Sequence, residues 1–340
     1  MLLQALIKPL IINKPAPTRL PLNIFLCAFI LLIVFMGDAH SIKLTNVHHL
    51  FNIEHDFKQP SDVSVSNDGF IYVVDGVNNK IKVFDKKGGF VFLFGGKGSS
   101  KGRFQSPLGI DIDDEGRVYV ADSGNRRVQV FNSRGGFLSQ ITIETEELRP
   151  ADPTDIAVNR RKNRLYVVDN DNHLVLVYDL KADKFIQAFG GPGVGKREFR
   201  YPFHMTRDSD DYLYVVEVIN TRVQVLNNTG KFVAFIGGWG VEKGEFFRPK
   251  GVAIDQEHRI YVSDSYMGVI QVFNKSGEFY SVLGDARDNE VKKFMTPTGI
   301  FIDNTNRLYI VEMFANRVSV YEIGEDVERV SDDGTGEDTE

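Results

Sequence analysis

Three groups of residues in this chain could do chemistry. The first is GGPGVGKRE, Gly190–Glu198, where Gly190 and Gly195-Lys196 fit the phosphate-cradling pattern G-x-x-x-x-G-K. That motif also needs a Ser or Thr after the Lys to hold magnesium, and a helix whose N-terminus faces the phosphate. Arg197 occupies the hydroxyl position, and the following EFRYPFHMTRD contains Pro202 and has no helical apolar period. The design also recurs, as GGKGSSKGRFQSP (Gly95–Pro107) and GGWGVEKGEFFRP (Gly237–Pro249). A nucleotide site is built once; a structural turn is built once per repeat. The glycines therefore read as turn formers.

The second group is a set of acids at Asp75, Asp122, Asp169, Glu217, Asp264 and Glu312. Each closes a short β-type run: IYVVD, VYVAD, LYVVD, LYVVE, IYVSD and LYIVE. Five residues on stands a base in four cases, Lys80, Arg127, Arg222 and Arg317, and Asn78, Asn125, Asn172 and Asn220 lie three residues past the acid. Such a set could bind a cation. Its regularity favours carboxylates that accept turn N–H groups and pair with the nearby base. Leu174 and Val269 replace the base after Asp169 and Asp264, so these two acids are the ones to test as ligand contacts. The third group is basic and aromatic: Lys196, Arg197, Arg200, Lys243, Arg248 and Lys250, with Tyr201, Trp239 and Phe247 between them. Cations interleaved with aromatics suit single-stranded RNA, yet Glu198, Glu242 and Glu245 are interspersed among them.

The elements that carry these groups are repeats. Pro60, Pro107, Pro153, Pro202, Pro249 and Pro297 recur at spacings of 47, 46, 49, 47 and 48 residues, a period that suits propeller blades. After each proline comes an alternating strand such as GIDID or GVAID, then the acid-ended strand, then a third such as RVQVF and a fourth such as FVAFIGG. Period-two alternation of β-branched and aromatic residues predicts four short antiparallel strands per unit. The unit beginning at Pro297 has only three strands. The segment VHHLFNIEHDFKQP, Val47–Pro60, supplies the missing fourth and predicts a closed ring, which hides the sheet edges.

The pattern P-x-G-[IV]-x-[IV], then Y-V-x-D-x-x-N-x-R-V-x-V-F, then G-G-x-G, resembles the NHL repeat, best in PLGIDIDDEGRVYVADSGNRRVQVFNSRGGF. The resemblance covers residues 44–321 and implies an all-β fold, a six-bladed β-propeller of four-stranded antiparallel blades. It leaves function open, because propellers host many activities. In such a ring the first strand of each unit starts at the mouth of a central channel. Gly109, Gly251 and Gly299 stand there, as do Asp62, Asp155 and His204. Two carboxylates and an imidazole could hold a calcium or zinc ion or a polar ligand; the plainer reading is that the acids cap turns and His204 fills space. No cofactor is otherwise expected.

Composition narrows the rest. The chain has 340 residues, with 42% hydrophobic and 25% charged, and a formal net charge of −6. Lys8, Lys14 and Arg19 against Asp38 give the first 41 residues +2, and the tail Glu322–Glu340 carries −8, so the middle is neutral. A neutral body gives no global reason to seek nucleic acid. Leu22–Met36 is a fifteen-residue, mostly apolar run after three basic residues, followed by GDAHS. This predicts a signal peptide cut after Ala39, or an uncleaved membrane anchor, and an extracytoplasmic protein. Cys27 is the only cysteine, so the body can form neither disulfides nor thiolate sites. The tail from residue 322 has no aromatic residue and strong negative charge, and is expected to be disordered.

These observations lead first to an exported, non-catalytic binding or scaffolding propeller, monomeric, that holds a protein, peptide or glycan. The second expectation is a metal-dependent lyase resembling the peptidyl-amidoglycolate lyases, or a lactonase-like relative. Those lyases hold metal with three histidines, whereas His173 and His258 fall at repeat positions different from His204. RNA binding comes third.

Overall fold

A computed structural model describes residues 42–328 except 144–149, 286 and 288–289. The leader at 1–41 and the tail from 329 lie outside the described residues. Among the described residues no helix is long and apolar enough to cross a membrane.

The first strand, β1 (Lys43–Ile53), belongs to the end of the fold. Four antiparallel sheets then follow in chain order. The first is β2 (Val63–Val65), β3 (Ile71–Asp75), β4 (Lys80–Phe84) and β5 (Phe90–Gly95). The second is β6 (Pro107–Ile112), β7 (Val118–Asp122), β8 (Arg127–Phe131) and β9 (Phe137–Thr142). The third is β10 (Pro153–Asn159), β11 (Arg164–Asp169), β12 (Leu174–Asp179) and β13 (Lys184–Gly190). The fourth is β14 (Pro202–Arg207), β15 (Leu213–Glu217), β16 (Arg222–Leu226) and β17 (Phe232–Ile236).

The remaining strands share one nearly closed sheet. Its first run is β18 (Pro249–Ile254), β19 (Ile260–Asp264), β20 (Val269–Phe273) and β21 (Phe279–Asp285), with the two-residue β22 (Glu290–Val291) beside β21. Its second run is β23 (Pro297–Ile302), β24 (Arg307–Glu312) and β25 (Arg317–Glu328), completed by β1. Strand β1 pairs antiparallel with β25 from Lys43↔Glu328 to Ile53↔Val318, and Leu44–Asn46 also pair parallel with Val282–Gly284 of β21. The N-terminal strand thus supplies the fourth strand of the last run, as the sequence predicts, but it starts at Lys43 rather than Val47. The tail expectation needs correction too, because β25 runs to Glu328, seven residues into the segment expected to be disordered. Pairing with β1 satisfies its backbone, and Thr45 and Tyr280 bind Asp326.

Packing closes the assembly. Apolar side chains of neighbouring sheets interdigitate, and Val63, Ile71 and Val73 of the first sheet meet Tyr309, Val311 and Val318 of the last. The first strands β2, β6, β10, β14, β18 and β23 touch in succession, and β23 touches β2. Tyr119, Tyr166, Tyr214, Tyr261 and Tyr309 explain the Y of the strand motif. Each ring is buried between sheets, and its hydroxyl donates to Asp113, Asp211, Asp208, Asp255 or Asp303, at 2.9–3.2 Å.

Loops leading into the first strands, and turns between second and third strands, lie on one face, called here the front. Hydrogen bonds tie each such turn to its loop: Val77 N–H to Lys58 O, Gly124 to Gln105, Asn170 to Asp152, Val218 to Tyr201, Ser265 to Arg248 and Met313 to Thr296.

The glycine question is settled by three phenylalanines. Phe104, Phe199 and Phe246 are fully buried, each next to a glycine at positive φ: Gly95, Gly190 and Gly237. A Cβ on these glycines would stand 2.5, 2.6 and 2.2 Å from the ring. The loops close by short parallel bridges, Lys97↔Phe104, Pro192↔Phe199 and Trp239↔Phe246, and β14 rather than a helix follows Lys196. The glycines make room for aromatic plugs.

Candidate functional site

The six strand-end acids form one repeated device. Each accepts a backbone N–H from seventeen residues upstream: Lys58 to Asp75, Gln105 to Asp122, Asp152 to Asp169, Arg200 to Glu217, Phe247 to Asp264 and Met295 to Glu312, at 2.6–3.2 Å. Asn78, Asn125, Asn172 and Asn220 donate to the same carboxylates. Arg127, Arg222 and Arg317 pair with Asp122, Glu217 and Glu312 as expected. Asp75 differs: its partner is the buried Lys82, at 2.7 Å, not Lys80. Lys82 lies two residues farther along β4, where Gln129 and Gln224 reach the equivalent acids in other units.

The acids without a base, Asp169 and Asp264, are not brought to the channel. Asp264 accepts N–H groups from Phe247, Arg248, Tyr266 and Met267, and Asp169 from Asp152 and Asn172. Both are fully buried. Backbone donors replace the missing base, so these residues hold turns rather than face a ligand.

Asp62, Asp155 and His204 do come together. Each stands two residues past its unit's proline, the position that Gly109, Gly251 and Gly299 occupy in the other units. The glycines are a steric requirement: a Cβ at Gly109 would fall 2.3 Å from Asp155 Oδ1, and one at Gly299 would fall 2.3 Å from Asp62 Oδ1. The three potential ligand atoms lie within 4.8 Å of one another, and all three residues are buried. His204 Nε2 is 3.4 Å from Asp62 Oδ1, and Nδ1 is 3.7 Å from Asp155 Oδ2. Ile110 N–H donates to Asp62 Oδ2 at 2.9 Å and Met205 N–H to Asp155 Oδ2 at 2.7 Å.

Burial dominates the electrostatics here. It pushes Asp155 well above the usual carboxylate range; the His204 charge opposes this and Asp62 adds to it. Burial works against the His204 charge, but Asp155 and Asp62 outweigh it and raise the imidazole to about 9. Asp155 and His204 are thus both pushed toward their protonated forms. The trio opens on a cavity of about 290 Å³ walled by first-strand residues including Ile110, Ile156 and Val252. Asp111, which the sequence reading passed over, lines the same cavity, and burial pushes it to about 6. Chemically the trio can share protons, or hold a divalent cation through two carboxylates and one imidazole. His173 accepts Tyr201 N–H on the front face and His258 lies in a back turn, so no three-histidine centre forms among the described residues.

The loop residues sit on the front face. Arg197, Arg200 and Arg248 are exposed, and Trp239 is 75% exposed. Phe247 stacks on Tyr266 with centroids 4.1 Å apart. Lys250 turns toward the channel mouth, 3.9 Å from the Phe203 ring centroid, and burial with help from Arg248 lowers its pKa to about 8. Four further exposed apolar side chains on this face were missed: Val77, Ile219, Tyr266 and Phe314, each two residues past a strand-end acid. That fixed offset was readable in the sequence.

Residues 57–84, 104–131 and 151–178 match the NHL repeat. No curated protein matches the chain in sequence. A streptogramin B lyase structure is similar with a TM-score of 0.58 and 14% identity, covering 82% of this chain and 98% of the other. A catalytically inactive virginiamycin B lyase from Staphylococcus aureus with quinupristin gives 0.57 and 15%, covering 79% and 82%. A structural genomics protein of unknown function from Bacteroides thetaiotaomicron gives 0.60 and 15%, covering 83% and 73%. At these identities the likeness concerns the fold. Three segments of the chain thus match the NHL repeat, and its fold is that of β-propeller proteins.

Proposed function

We propose that this is a six-bladed, exported propeller that binds a protein, peptide or glycan partner through its front face and does no chemistry on it. Four separate four-stranded sheets, two further runs joined by β1 and cyclic first-strand contacts support six blades. The carrying observation is the exposed apolar set on the front turns and loops, headed by Trp239, Tyr266 and Phe314 at 75%, 62% and 59% exposure. Exposed side chains of that size grouped on one face mark interaction sites. The apolar run Leu22–Met36 and a body without cysteine support export. The test is capture of partners by the immobilised mature protein, read by mass spectrometry, beside a Trp239→Ser, Tyr266→Ser variant. Loss of the same specific proteins from the variant is expected; equal retention refutes the reading. N-terminal sequencing of the exported protein is expected to begin at His40.

A second reading has its own observation. Asp62, Asp155 and His204 offer a buried donor set that fits a calcium or zinc ion, which would supply Lewis acidity to a lyase or lactonase. Two of the similar structures are described as lyases. Metal analysis of purified protein tests it: one bound ion per chain, lost in His204→Ala, supports a metal site, and a metal-free protein that takes up neither ion removes it.

A further inference from the structure

The front face is not uniform around the ring, and we infer that the partner docks on one sector of it with an acidic segment bearing apolar side chains. This inference rests on the front-face binding reading and adds where the partner sits and what it presents. The position two residues past the strand-end acid is occupied by Val77, Gly124, Asp171, Ile219, Tyr266 and Phe314. The four apolar residues are 56–62% exposed and belong to consecutive units around the closed ring, the fourth, fifth, last and first. Gly124 and Asp171 mark the other two.

Hydrogen bonds join the turns and loops of three of these units: Ser265 N–H to Arg248 O and Met313 N–H to Thr296 O tie a turn to its own loop, and Phe294 N–H to Gly268 O and Gln59 N–H to Asn316 Oδ1 tie a turn to the next unit's loop. Trp239 and Met295, 75% and 58% exposed, stand on the loops between. Lys58, Arg200, Arg248 and Lys293 are exposed just before the prolines of these four units, and the loop entering the second unit also exposes Lys97, Lys101 and Arg103. Of the acids nearby, Glu198 accepts Gly195 N–H and Glu245 accepts Glu242 N–H; Asp56 and Glu242 are exposed. An apolar arc bordered by cations is complementary to a segment carrying carboxylates and aromatic or aliphatic side chains. Half of the exposed set, Val77, Ile219 and Met295, gives no stacking platform for bases, which favours a polypeptide over RNA.

The test selects random 15-residue peptides by display against the purified chain at low salt. Selected peptides are expected to be rich in Asp, Glu and large apolar residues. Their affinity should fall at least tenfold in Tyr266→Ser, Phe314→Ser and by less than twofold in Asp171→Ala. Since these side chains are exposed, circular dichroism should be unchanged in both variants. Basic peptides, or no selected peptides, overturn the inference, as does an oligouridylate that binds in a Tyr266-dependent way where no peptide does. Peptides that ignore Tyr266→Asp but are lost in Asp171→Arg overturn the sector assignment and leave front-face binding intact. Peptides that ignore both charged substitutions overturn the front-face reading as well.

Discussion

Two sets of buried carboxylates in this molecule behave oppositely. The six strand-end acids share one environment: a backbone N–H seventeen residues upstream, an Asn three residues on in four units, and a paired base where the sequence supplies one. Asp62 and Asp155 have no such copies; glycines stand at three of the other four equivalent positions, and the carboxylates flank an imidazole at 3.4 and 3.7 Å beside a cavity. A device present in every unit holds the units together. A departure from the repeat, accommodated by glycines at the equivalent positions, sets the first, third and fourth units apart from their copies at that level.

Substitutions can break that contrast. Asp122→Ala leaves Arg127 buried without its carboxylate and strips the loop at Gln105 of its acceptor. A loss of about 3–5 kcal/mol is expected in denaturant unfolding, as for breaking a buried pair. Gly109→Ala should cost about 1–3 kcal/mol, because the new methyl meets Asp155 Cα at 2.7 Å and Thr154 O at 2.8 Å, which are backbone atoms that cannot swing away. Asp155→Asn should cost less than about 1 kcal/mol, since the carboxyl is already held toward its neutral form and the amide oxygen can still accept Met205 N–H. If Asp155→Asn proves as damaging as Asp122→Ala, the distinction between the two sets fails.

The proton on His204 gives a subtler handle. Its folded pKa, about 9, lies above the roughly 6.5 of an unfolded imidazole, so its contribution to stability is complete below the latter value. That contribution is lost as pH rises from about 6.5 through about 9, and Asp155, also raised, acts in the same direction. In chelator-treated protein, unfolding midpoints should fall across this window, and His204→Gln should flatten the slope. The smallest effect belongs to the front face: Trp239→Ser should change stability by no more than about 0.5 kcal/mol, because the ring is exposed.

Sequence legibility followed the same division. The repeat period, the turn role of the Asn residues and closure by the N-terminal strand could all be read, because each is stated several times or follows from a missing strand. Lys82 could not be distinguished from Lys80 as the partner of Asp75, since alternate residues of a strand point the same way and only side-chain reach decides. The meeting of Asp62, Asp155 and His204 depends on three distant units presenting their first strands at one level, which single-chain spacing does not encode. The buried Phe104, Phe199 and Phe246 were visible in each loop, but the glycines read only as turn formers, because the close approach of each to its ring depends on the folded loop.

The pairing of Lys43 with Glu328 has a mechanical consequence. The two chain ends leave side by side from one edge of the same strand pair, so tension applied between them peels β1 from β25 one hydrogen bond at a time instead of shearing the whole pair at once. The first resistance is the knot of Lys43, Thr45, Tyr280 and Asp326. A pulling experiment would therefore open the molecule at its closure at low force, long before the other sheets come apart.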